Sequence, residues 1–555
     1  MNNQTSNKLY FLVPFLIGAA IAAGIFIGYF LGGPESDSNA GNFKRLHQSD
    51  KLRDAMQYIM HEYVDTLNRE SLEEDALVAL LEQLDPHSAY IPAVEAESMN
   101  EVLQGNFDGI GVEFNIRRDT IMVVSAISGG PSEVLGIRSG DRIIAIEGKS
   151  IAGVGVTNDD VMKKLRGERG TKVKVTILRP SEERKIDYTI TRGQIPIYSV
   201  DATYMITPQV GYIKISRFAA TTYSEYLKAF NQLRMNGMQK LVLDLRGNPG
   251  GYLNAAVDLC DEFLPGGKKI VYTEGKARKR EEFVATSKGG FENGSLVVLI
   301  DEGSASASEI VSGAVQDNDR GWVVGRRSFG KGLVQEEVRF DDGSAMRLTI
   351  ARYYTPTGRC IQKPYKDGLE AYYNELNDRF EHGEMLNPDS AEVFDTLTYT
   401  TPSGRKVYGG GGIMPDVFIP ADTSGYSRYA SELVSKGLLN RFAFDYVDTR
   451  RNELKSRYKS AEDFAARFPI GAVMQDFTSF AQKEGVPFNK IQYDQSYDLL
   501  SGQMLALLGR PLFGNNGFYS LLNRDDKFVK KAVELLDKNK LVSTSSQQPA
   551  KKTTL

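Results

Sequence analysis

The sequence predicts a multidomain α+β protein, with an α/β core, a β-rich module ahead of it and helical regions at both ends. Its 555 residues are too many for a single core. Strands and helices alternate from residue 198 to 420, whereas short strands separated by glycine turns fill residues 106–192. The composition is ordinary, and a net charge of −4 indicates no basic surface for nucleic acid.

The N-terminus predicts a single transmembrane helix. Residues 9–33 contain no charged side chain and are long enough to cross a bilayer. Lys8 precedes this stretch and Glu35 and Asp37 follow it, so residues 1–8 are expected to stay in the cytoplasm. A cleaved signal peptide is the alternative, although no clean A-x-A pattern follows. The expected location is the cell inner membrane, with the remaining chain in the periplasm or another extracytoplasmic space.

Two further regions show helical periodicity. Residues 43–104 place apolar side chains at helical spacing, and amphipathic patterning returns in residues 424–541. Residues 361–400 are charged and aromatic with weak periodicity, which is typical of an insertion. The polar residues 542–555 are predicted to be a disordered tail.

The core is predicted over residues 198–422 from alternating segments. The expected strands are 210–215, 241–245, 296–300 and 322–325, and the expected helices are 223–236, 253–263 and 306–316.

A peptide-binding module is predicted over residues 105–193. Gly109-Ile110-Gly111-Val112 precedes an alternating strand that contains Phe114, and Gly140-Asp141 and Glu147-Gly148 follow later. This pairing resembles a PDZ domain, in which a glycine-containing loop binds a terminal carboxylate and the peptide adds as a strand. The resemblance implies that Gly109, Ile110, Gly111, Val112 and Phe114 contact the peptide. A small β-domain whose glycines only form turns is the alternative.

Ser306 is a candidate nucleophile. It lies in Gly303-Ser304-Ala305-Ser306-Ala307-Ser308, directly after the apolar segment 296–300 and at the start of a predicted helix. Free N–H groups and the positive dipole end of a helix N-terminus favour developing negative charge. Helix capping is the alternative role, because serine is a preferred capping residue.

Lys331 is the candidate base. The chain has four histidines, and none lies in the α/β motifs. Lys331 stands in Ser328-Phe329-Gly330-Lys331-Gly332-Leu333-Val334, where apolar neighbours can lower its pKa by desolvation. A surface lysine between turn glycines is the alternative.

A nucleotide-binding loop is the competing interpretation of the lysine segment. Residues 325–331 follow an apolar strand as a P-loop does, but Gly332 cannot supply the hydroxyl that ligates Mg²⁺. Residues 333–339 also alternate like a strand, whereas a P-loop opens a helix. The pattern therefore argues against nucleotide binding.

Several segments, taken in order, resemble the carboxyl-terminal processing (tail-specific) serine peptidase family over residues 43–422. They are Leu84-Asp85-Pro86-His87-Ser88, Asp244-Leu245-Arg246-Gly247-Asn248-Pro249-Gly250-Gly251, Ser304 to Ile310, Gln316-Asp317, Phe329 to Gly332 with Gln335, Tyr353 to Arg359, and Gly411 to Asp416. The resemblance implies a crotonase-like α/β catalytic core.

The resemblance also implies roles for particular residues. Ser306 would be the nucleophile and Lys331 the general base, with Gln335 holding the lysine amine. Asp317 aligns with an acidic position that supports the geometry of the site. No metal or cofactor is implied.

The implied oxyanion hole consists of main-chain N–H groups. One would come from Ala307, and the other from Gly250 or Gly251, where glycine permits unusual backbone angles.

The sequence thus predicts a membrane-anchored serine endopeptidase that recognises exposed, apolar C-terminal tails. The PDZ module is expected to gate the site, with Arg138, Arg142 and Arg166 as candidate relay residues. A non-catalytic scaffold that only binds protein C-termini is the alternative. For residues 424–541, self-association, capping of the active site and recruitment of an adaptor stay open.

Overall fold

The computed structural model describes residues 51–117, 119–179, 184–390 and 398–538. Its contacts divide the chain into two compact units at Asp75 and Ala76. Helix α1 (Lys51–Glu62) lies in the first unit and has no buried residue, so the apolar face that its sequence predicts is exposed. Helix α2 (Arg69–Leu81) begins in the first unit and ends in the second.

The predicted membrane anchor, residues 9–33, and the whole of the predicted tail, residues 542–555, lie outside the described part of the chain. Within the described ranges, no helix has the length and apolar composition that a bilayer span requires.

The second unit begins with a short strand and a helix and continues into the β-rich module. The elements are β1 (Ala89–Ile91), α3 (Ala93–Gln104), β2 (Asn106–Gly109), β3 (Val112–Arg117), β4 (Thr120–Ala126), α4 (Pro131–Val134), β5 (Arg142–Ile146), β6 (Lys149–Ser150), α5 (Asn158–Leu165), β7 (Lys172–Arg179), β8 (Arg184–Thr191) and β9 (Gly193–Pro196).

The β-rich module has its own core. Its sheet has the order β3-β4-β5-β7-β8, with β6 paired to β5, so that β3 is an edge strand. Strands β2 and β9 pair where the chain enters and leaves the module. Ile121, Val123, Ile143 and Val175 are fully buried in this core, because alternate residues of each strand face the same side of the sheet.

The α/β core follows the predicted alternation to within two residues at each element. Its elements are β10 (Val200–Met205), β11 (Val210–Ile215), α6 (Thr222–Met235), β12 (Lys240–Asp244), α7 (Leu253–Asp261), β13 (Lys269–Glu274), β14 (Glu281–Val284), β15 (Ser295–Ile300), α8 (Ala307–Asp317), β16 (Trp322–Gly325), β17 (Leu333–Arg339) and β18 (Ala345–Tyr354).

The remaining elements belong to the insertion, the last part of the core and the C-terminal region. They are α9 (Leu369–Glu381), β19 (Thr398–Thr400), β20 (Lys406–Tyr408), β21 (Val417–Phe418), α10 (Arg428–Ser435), α11 (Leu438–Arg457), α12 (Ala461–Arg467), α13 (Ile470–Lys483), α14 (Lys490–Leu522) and α15 (Lys527–Asp537).

The central sheet of the core has the order β10-β11-β12-β15-β16-β21, in which only β10 is antiparallel to its neighbour. One face, with Leu243 and Val298, packs against helices α6, α7 and α8. The other face, with Val242 and Leu299, packs against α15. A sheet that is covered on both faces explains why its strands are continuously apolar.

A second sheet carries the lysine segment. It has the order β1-β18-β13-β14, with β17 also paired to β18. The turn that precedes β17 contacts the turn after β15, because the N–H of Phe329 donates to the carbonyl of Ser304 at 3.0 Å, and the serine and lysine motifs meet there.

The helices of the C-terminal region contribute to two hydrophobic cores. Helices α10 to α14 form a separate bundle around Phe464, Phe477, Leu500 and Met504. Helix α15 instead covers the central catalytic sheet. The predicted region 424–541 is helical, but its last helix packs as part of the peptidase core.

Candidate active site

Ser306 lies at the sharp turn between strand β15 and helix α8. Its φ and ψ angles are 54° and −112°, a conformation that a non-glycine residue adopts only where the surroundings enforce it. The turn directs the N-terminus of α8 and the serine side chain toward one cavity. Strained turns of this kind expose nucleophilic serines in other hydrolases.

The neighbouring serines have structural roles. Ser304 is fully buried, and its hydroxyl donates to the carbonyl of Leu245 at 2.9 Å. Ser308 is also fully buried and donates to the carbonyl of Asn248 at 3.0 Å. Of the three serines in the motif, Ser306 is the one that lines the cavity.

The glycine turn after β12 lies directly against the serine turn. Asn248 accepts the N–H of Ala305 at 2.9 Å, and its side-chain amide donates to the carbonyl of Ile215 at 3.0 Å. A Cβ atom on Gly250, where φ is 99°, would lie 2.7 Å from the Cβ of Ser306 and 2.9 Å from the nitrogen of Ala307. Only glycine therefore fits between the turn and the serine.

The two glycines proposed for the oxyanion hole differ in their hydrogen bonds. The N–H of Gly250 donates to Asn248 Oδ1 at 2.8 Å, so it is already engaged. The bridge between Gly251 and Phe218 uses the carbonyl of Gly250 and the N–H of Tyr252. This arrangement favours Gly251 over Gly250 as the partner of Ala307.

Lys331 lies across the cavity from the serine turn and donates from Nζ to Gln335 Oε1 at 3.1 Å. Burial lowers the pKa of Lys331 below its ordinary value, and the nearby charge of Arg347 lowers it further. Glu309 and Asp85 oppose this shift. A lysine with a lowered pKa is more readily present as the neutral amine, which is the form that can accept a proton.

Glu309 connects the two motifs and was not identified as a site residue from the sequence. It is fully buried, and Oε2 accepts the N–H groups of Ser306 at 2.8 Å and Lys331 at 2.9 Å. Oε1 accepts the Ser328 hydroxyl at 2.6 Å and the N–H of Gly330 at 2.7 Å. Burial raises the pKa of Glu309 to about 7, while the donated hydrogen bonds oppose that shift. Its position three residues after Ser306 resembles a capping box, which was the available signal.

Tyr353 forms a second connection. Its hydroxyl lies 3.0 Å from the carbonyl oxygen of Ser306 and 2.6 Å from that of Lys331. The side chain is 1% exposed, so this hydroxyl fixes both turns from inside the protein. The signal in the sequence was its position in one of the motifs that carry the resemblance.

Ser306, Lys331 and Gln335 line one cavity of about 700 Å³. Apolar side chains form much of its wall, among them Leu253, Ile310, Leu333 and Tyr353, and helix α3 contributes Asn100 and Leu103. The cavity is large enough to hold several residues of an extended peptide.

One histidine lies beside the dyad, against the expectation that histidines are remote from it. The carbonyl of His87 accepts a hydrogen bond from Gln335 Nε2 at 3.2 Å, and its ring Nε2 lies 2.8 Å from the Tyr372 hydroxyl. Burial and the charge of Lys331 lower the pKa of His87 to about 4. The ring nitrogen Nε2 is engaged with Tyr372, and His87 is not among the residues that line the cavity with Ser306, which argues against His87 as the base.

Asp317 lies away from the cavity, which corrects the expectation of an acidic group near the reacting atoms. It is at the far end of the 11-residue helix α8, about 16 Å from Ser306 along the axis. Its Oδ1 pairs with Arg359 at 2.7 Å, both side chains being fully buried, and Oδ2 accepts the Thr357 hydroxyl at 2.7 Å. Its position allows support of the 353–359 turn and no contact with substrate.

The insertion is ordered around helix α9 and supports the lysine turn. Arg379 donates to the carbonyl of Arg327 at 2.7 Å, and Arg327 forms two hydrogen bonds with Glu384 at 2.6 and 2.7 Å. Lys363 pairs with Glu375 at 3.1 Å. These charged side chains are largely buried, which explains why the sequence of the insertion has no clear apolar periodicity.

The predicted peptide-binding residues form one edge of the β-rich module. Gly109 ends β2, and Ile110 and Gly111 form the loop into β3, which carries Val112 and Phe114. Gly111 has a φ of 76°, which favours glycine. The loop therefore meets an open strand edge, as a strand-adding peptide requires.

Of the three candidate relay arginines, Arg166 connects the module with the cavity wall. It pairs with Glu101 on α3 at 2.5 Å, and its guanidinium lies 4.5 Å from the ring centre of Phe107. The same helix supplies Asn100 and Leu103 to the cavity. The relay roles of Arg138 and Arg142 stay predictions.

Comparison with known proteins identifies the family. Residues 209–371 match the model of peptidase family S41, and residues 109–190 match that of the PDZ domain. Carboxy-terminal processing protease CtpA of Bacillus subtilis (strain 168) is 34% identical over 362 residues, which are 64% of this chain and 75% of that relative. The chain belongs to peptidase family S41. It is a serine peptidase of the carboxy-terminal processing type with a PDZ domain.

Other relatives of this S41 peptidase are also named carboxy-terminal processing proteases. The carboxy-terminal-processing protease of Bartonella bacilliformis (strain ATCC 35685 / KC583 / Herrer 020/F12,63) is 34% identical over 61% of this chain and 79% of its own. For CtpB of Bacillus subtilis (strain 168), identity is 36% over 58% of this chain and 66% of that one, just under two thirds. Residues 429–514 match a family of unknown function (DUF8443).

Proposed function

We propose that this S41 peptidase is a membrane-anchored endopeptidase of the cell envelope that cleaves proteins with exposed apolar C-termini by a Ser306–Lys331 dyad. The observation that carries the proposal is the shared cavity of Ser306, Lys331 and Gln335, with Glu309 hydrogen-bonded to both the serine and lysine turns. The charge-free residues 9–33 support the anchor, and the glycine loop of the PDZ module together with its edge strand β3 supports tail binding.

The reaction begins when the neutral amine of Lys331 accepts the proton of the Ser306 hydroxyl as Oγ attacks the scissile carbonyl. The N–H groups of Ala307 and Gly251 stabilise the oxyanion. The lysine ammonium then donates its proton to the leaving amine, which leaves an acyl-enzyme on Ser306. A water molecule, deprotonated by Lys331, attacks the ester, and the proton returns to Ser306 Oγ as the N-terminal fragment departs with its new carboxylate.

Binding of a tail to the PDZ module is proposed to influence the catalytic site through α3. Arg166 pairs with Glu101, and Asn100 beside it lines the cavity. Movement of the module would therefore act on the cavity wall.

The test uses the purified chain, an unstructured polypeptide ending in apolar residues and mass spectrometry of the products. Cleavage is expected in the wild type and in Lys279→Ala, an exposed-lysine control, but not in Ser306→Ala or Lys331→Met. An active-site-directed fluorophosphonate is expected to label Ser306. If both dyad variants retain cleavage, the assignment is wrong. If the wild type binds tails but never cleaves them, the scaffold hypothesis takes its place.

A further inference from the structure

We propose that residues 85–88 form a positioning element that fixes the orientation of the Gln335 side-chain amide, an inference that rests on the proposed dyad. The amide has one donor end and one acceptor end. Its Nε2 donates to the main-chain carbonyl of His87 at 3.2 Å, and its Oε1 accepts from Lys331 Nζ at 3.1 Å. A carbonyl oxygen can only accept hydrogen bonds, so it selects the donor end of the amide.

This orientation matters for the chemistry of the lysine. With Oε1 toward Nζ, the neutral amine uses an N–H bond for Gln335 and keeps its lone pair for the Ser306 proton. In the reversed amide, Nε2 would donate to that lone pair, and two carbonyl-type oxygens would face each other at His87. The carbonyl of His87 therefore keeps the base available.

Two sets of contacts hold this carbonyl in place. Asp85 Oδ1 accepts the N–H groups of His87 at 2.9 Å and Ser88 at 3.0 Å and the hydroxyl of Thr349 at 3.0 Å. Strand β1 then pairs with β18, which fixes the segment against the sheet. On the other side, the His87 ring lies at 2.8 Å from the hydroxyl of Tyr372, a residue of the insertion that is 2% exposed.

The positioning element, residues 85–88, is in turn supported by Tyr372 of the insertion. Tyr372 packs edge-on against both His87 and Phe329, and Phe329 lies two residues before Lys331. The insertion and the 85–88 segment together form a wall behind Gln335. These contacts determine that the Gln335 amide turns its oxygen toward Lys331.

The test compares His87→Phe, Tyr372→Phe and the double variant with wild type, using kcat, KM and their pH profiles from pH 6 to 10. The charged groups facing Lys331 are Arg347 on β18, Glu309 on α8 and Asp85, and these variants leave them unchanged. Burial lowers the pKa of His87 to about 4, which is below this range. Tyr365→Phe, in the same insertion, is the control.

We expect kcat on the alkaline plateau to fall about fivefold in each single variant, with KM unchanged. The apparent pKa of the rising limb should move to lower pH, because a reversed amide stabilises the neutral amine. The double variant should match the single variants, since both remove the same contact. The proposal would be overturned if kcat fell only in proportion to the number of fluorophosphonate-reactive sites and the apparent pKa of the rising limb did not change. That result would disprove the positioning role alone and leave the dyad assignment unaffected. Retained cleavage in Ser306→Ala and Lys331→Met would instead disprove the dyad assignment.

A different set of contacts supports a second inference: the helical bundle of α10 to α14 is a releasable polar latch on the PDZ module. Polar contacts between described residues join them. Arg117 pairs with Asp445, Arg510 lies 3.6 Å from Glu113, and Arg451 donates to the Ser139 hydroxyl at 2.7 Å. The buried apolar residues of the described module and those of the described bundle form two separate cores. Helix α15, in contrast, shares an apolar core with the catalytic sheet.

The latch contacts the strand that a peptide would join. Glu113 and Arg117 lie on β3, and their side chains alternate with those of Val112, Phe114 and Ile116, which pack toward the module core. The latch ion pairs are partly exposed, and such pairs are weak and sensitive to salt. The module is therefore held by contacts that can open, and the bundle stays on the core.

A charge exchange tests the latch in the Ser306→Ala background, which prevents cleavage. Arg117→Glu should raise hydrogen–deuterium exchange in both 112–117 and 438–450 and change the Kd for an apolar-tailed peptide at least threefold. Arg117→Glu combined with Asp445→Arg should restore both values, whereas Asp476→Asn should change neither. Wild-type exchange in these segments should also rise between 50 and 500 mM NaCl. If hydrogen–deuterium exchange in Arg117→Glu equals that of the wild type, the bundle is not a latch. The same conclusion follows if the additional change Asp445→Arg does not restore wild-type exchange.

Discussion

Glu309 accepts the main-chain N–H of Lys331 on Oε2 at 2.9 Å, from a side chain that is itself fully buried. The same oxygen accepts the N–H of Ser306. One carboxylate therefore joins the turn of Ser306 to the turn of Lys331, in addition to the connection through Tyr353. The two residues of the proposed dyad are thus held together by an acidic side chain that solvent does not reach.

Replacement of this carboxylate gives the first prediction. Glu309→Gln leaves an NH₂ group facing donors, so we expect the free energy of unfolding to fall by roughly 2–4 kcal/mol. Activity should fall more than 100-fold, since both turns lose their common acceptor. Chemical denaturation and peptide cleavage measure the two effects. Glu302→Gln, which changes a partly exposed partner of Arg326, should keep wild-type activity; equal losses in the two variants would contradict the bridging role.

The second prediction concerns pH. The pKa of Lys331 is lowered by burial and then by Arg347, and catalysis requires the neutral amine. The rate should therefore rise with pH through an apparent pKa below that of an exposed lysine. Arg347→Gln removes a positive charge, raises the pKa of Lys331 and moves the rising limb to higher pH. A kcat profile measures this shift, and Arg339→Gln, an exposed arginine on β17, is the control. A limb that moves to lower pH would contradict the assignment of Lys331 as the base.

The third prediction tests the oxyanion hole. A Cβ on Gly251, where φ is 143°, would lie 2.0 Å from the carbonyl oxygen of Phe218, so Gly251→Ala must displace the turn. We expect kcat to fall by about 100-fold or more. Gly247→Ala is a matched control, because Gly247 lies in the same turn with φ 65° and open space around its Cβ position. Steady-state kinetics with a chromogenic ester would distinguish them; similar kcat values for the two would argue against Gly251.

The fourth prediction concerns the anchor. The full chain should sediment with membranes and resist extraction by high salt and carbonate, because residues 9–33 are expected to span the bilayer. The same chain without residues 9–33 should stay in the supernatant and retain peptidase activity. Immunoblotting of fractions measures this. Full-length protein found in the supernatant would contradict the anchor.

Much of this site was predictable from the sequence because it consists of short turns between apolar strands. Ser306 and Lys331 each follow a strand that periodicity identifies, and glycine turns mark the neighbouring segments. Glu309 was harder to predict, because a glutamate three residues after a serine reads equally well as a local cap. Its contacts with Gly330 and Lys331 exist only once the two sheets have come together.

The insertion and the C-terminal region were less predictable for physical reasons. The insertion buries charged groups such as Lys363 and Arg379 in ion pairs, so its sequence lacks an apolar stripe. Helix α15 has a strong apolar face, but nothing in its sequence indicates that this face packs on a sheet formed far earlier in the chain. His87 was missed because its main-chain carbonyl, which no sequence pattern reports, makes the relevant contact.

The packing of α15 on the catalytic sheet has a consequence for biogenesis. Phe528, Val529 and Leu536 cover sheet residues such as Val242 and Leu299, yet α15 is translated long after Ser306 and Lys331. Until α15 has emerged from the ribosome, one apolar face of the catalytic sheet is not covered by that helix, and the sheet lacks the stability that this burial provides. This face of the sheet therefore gains its full apolar burial only after residues 527–537 have been synthesised.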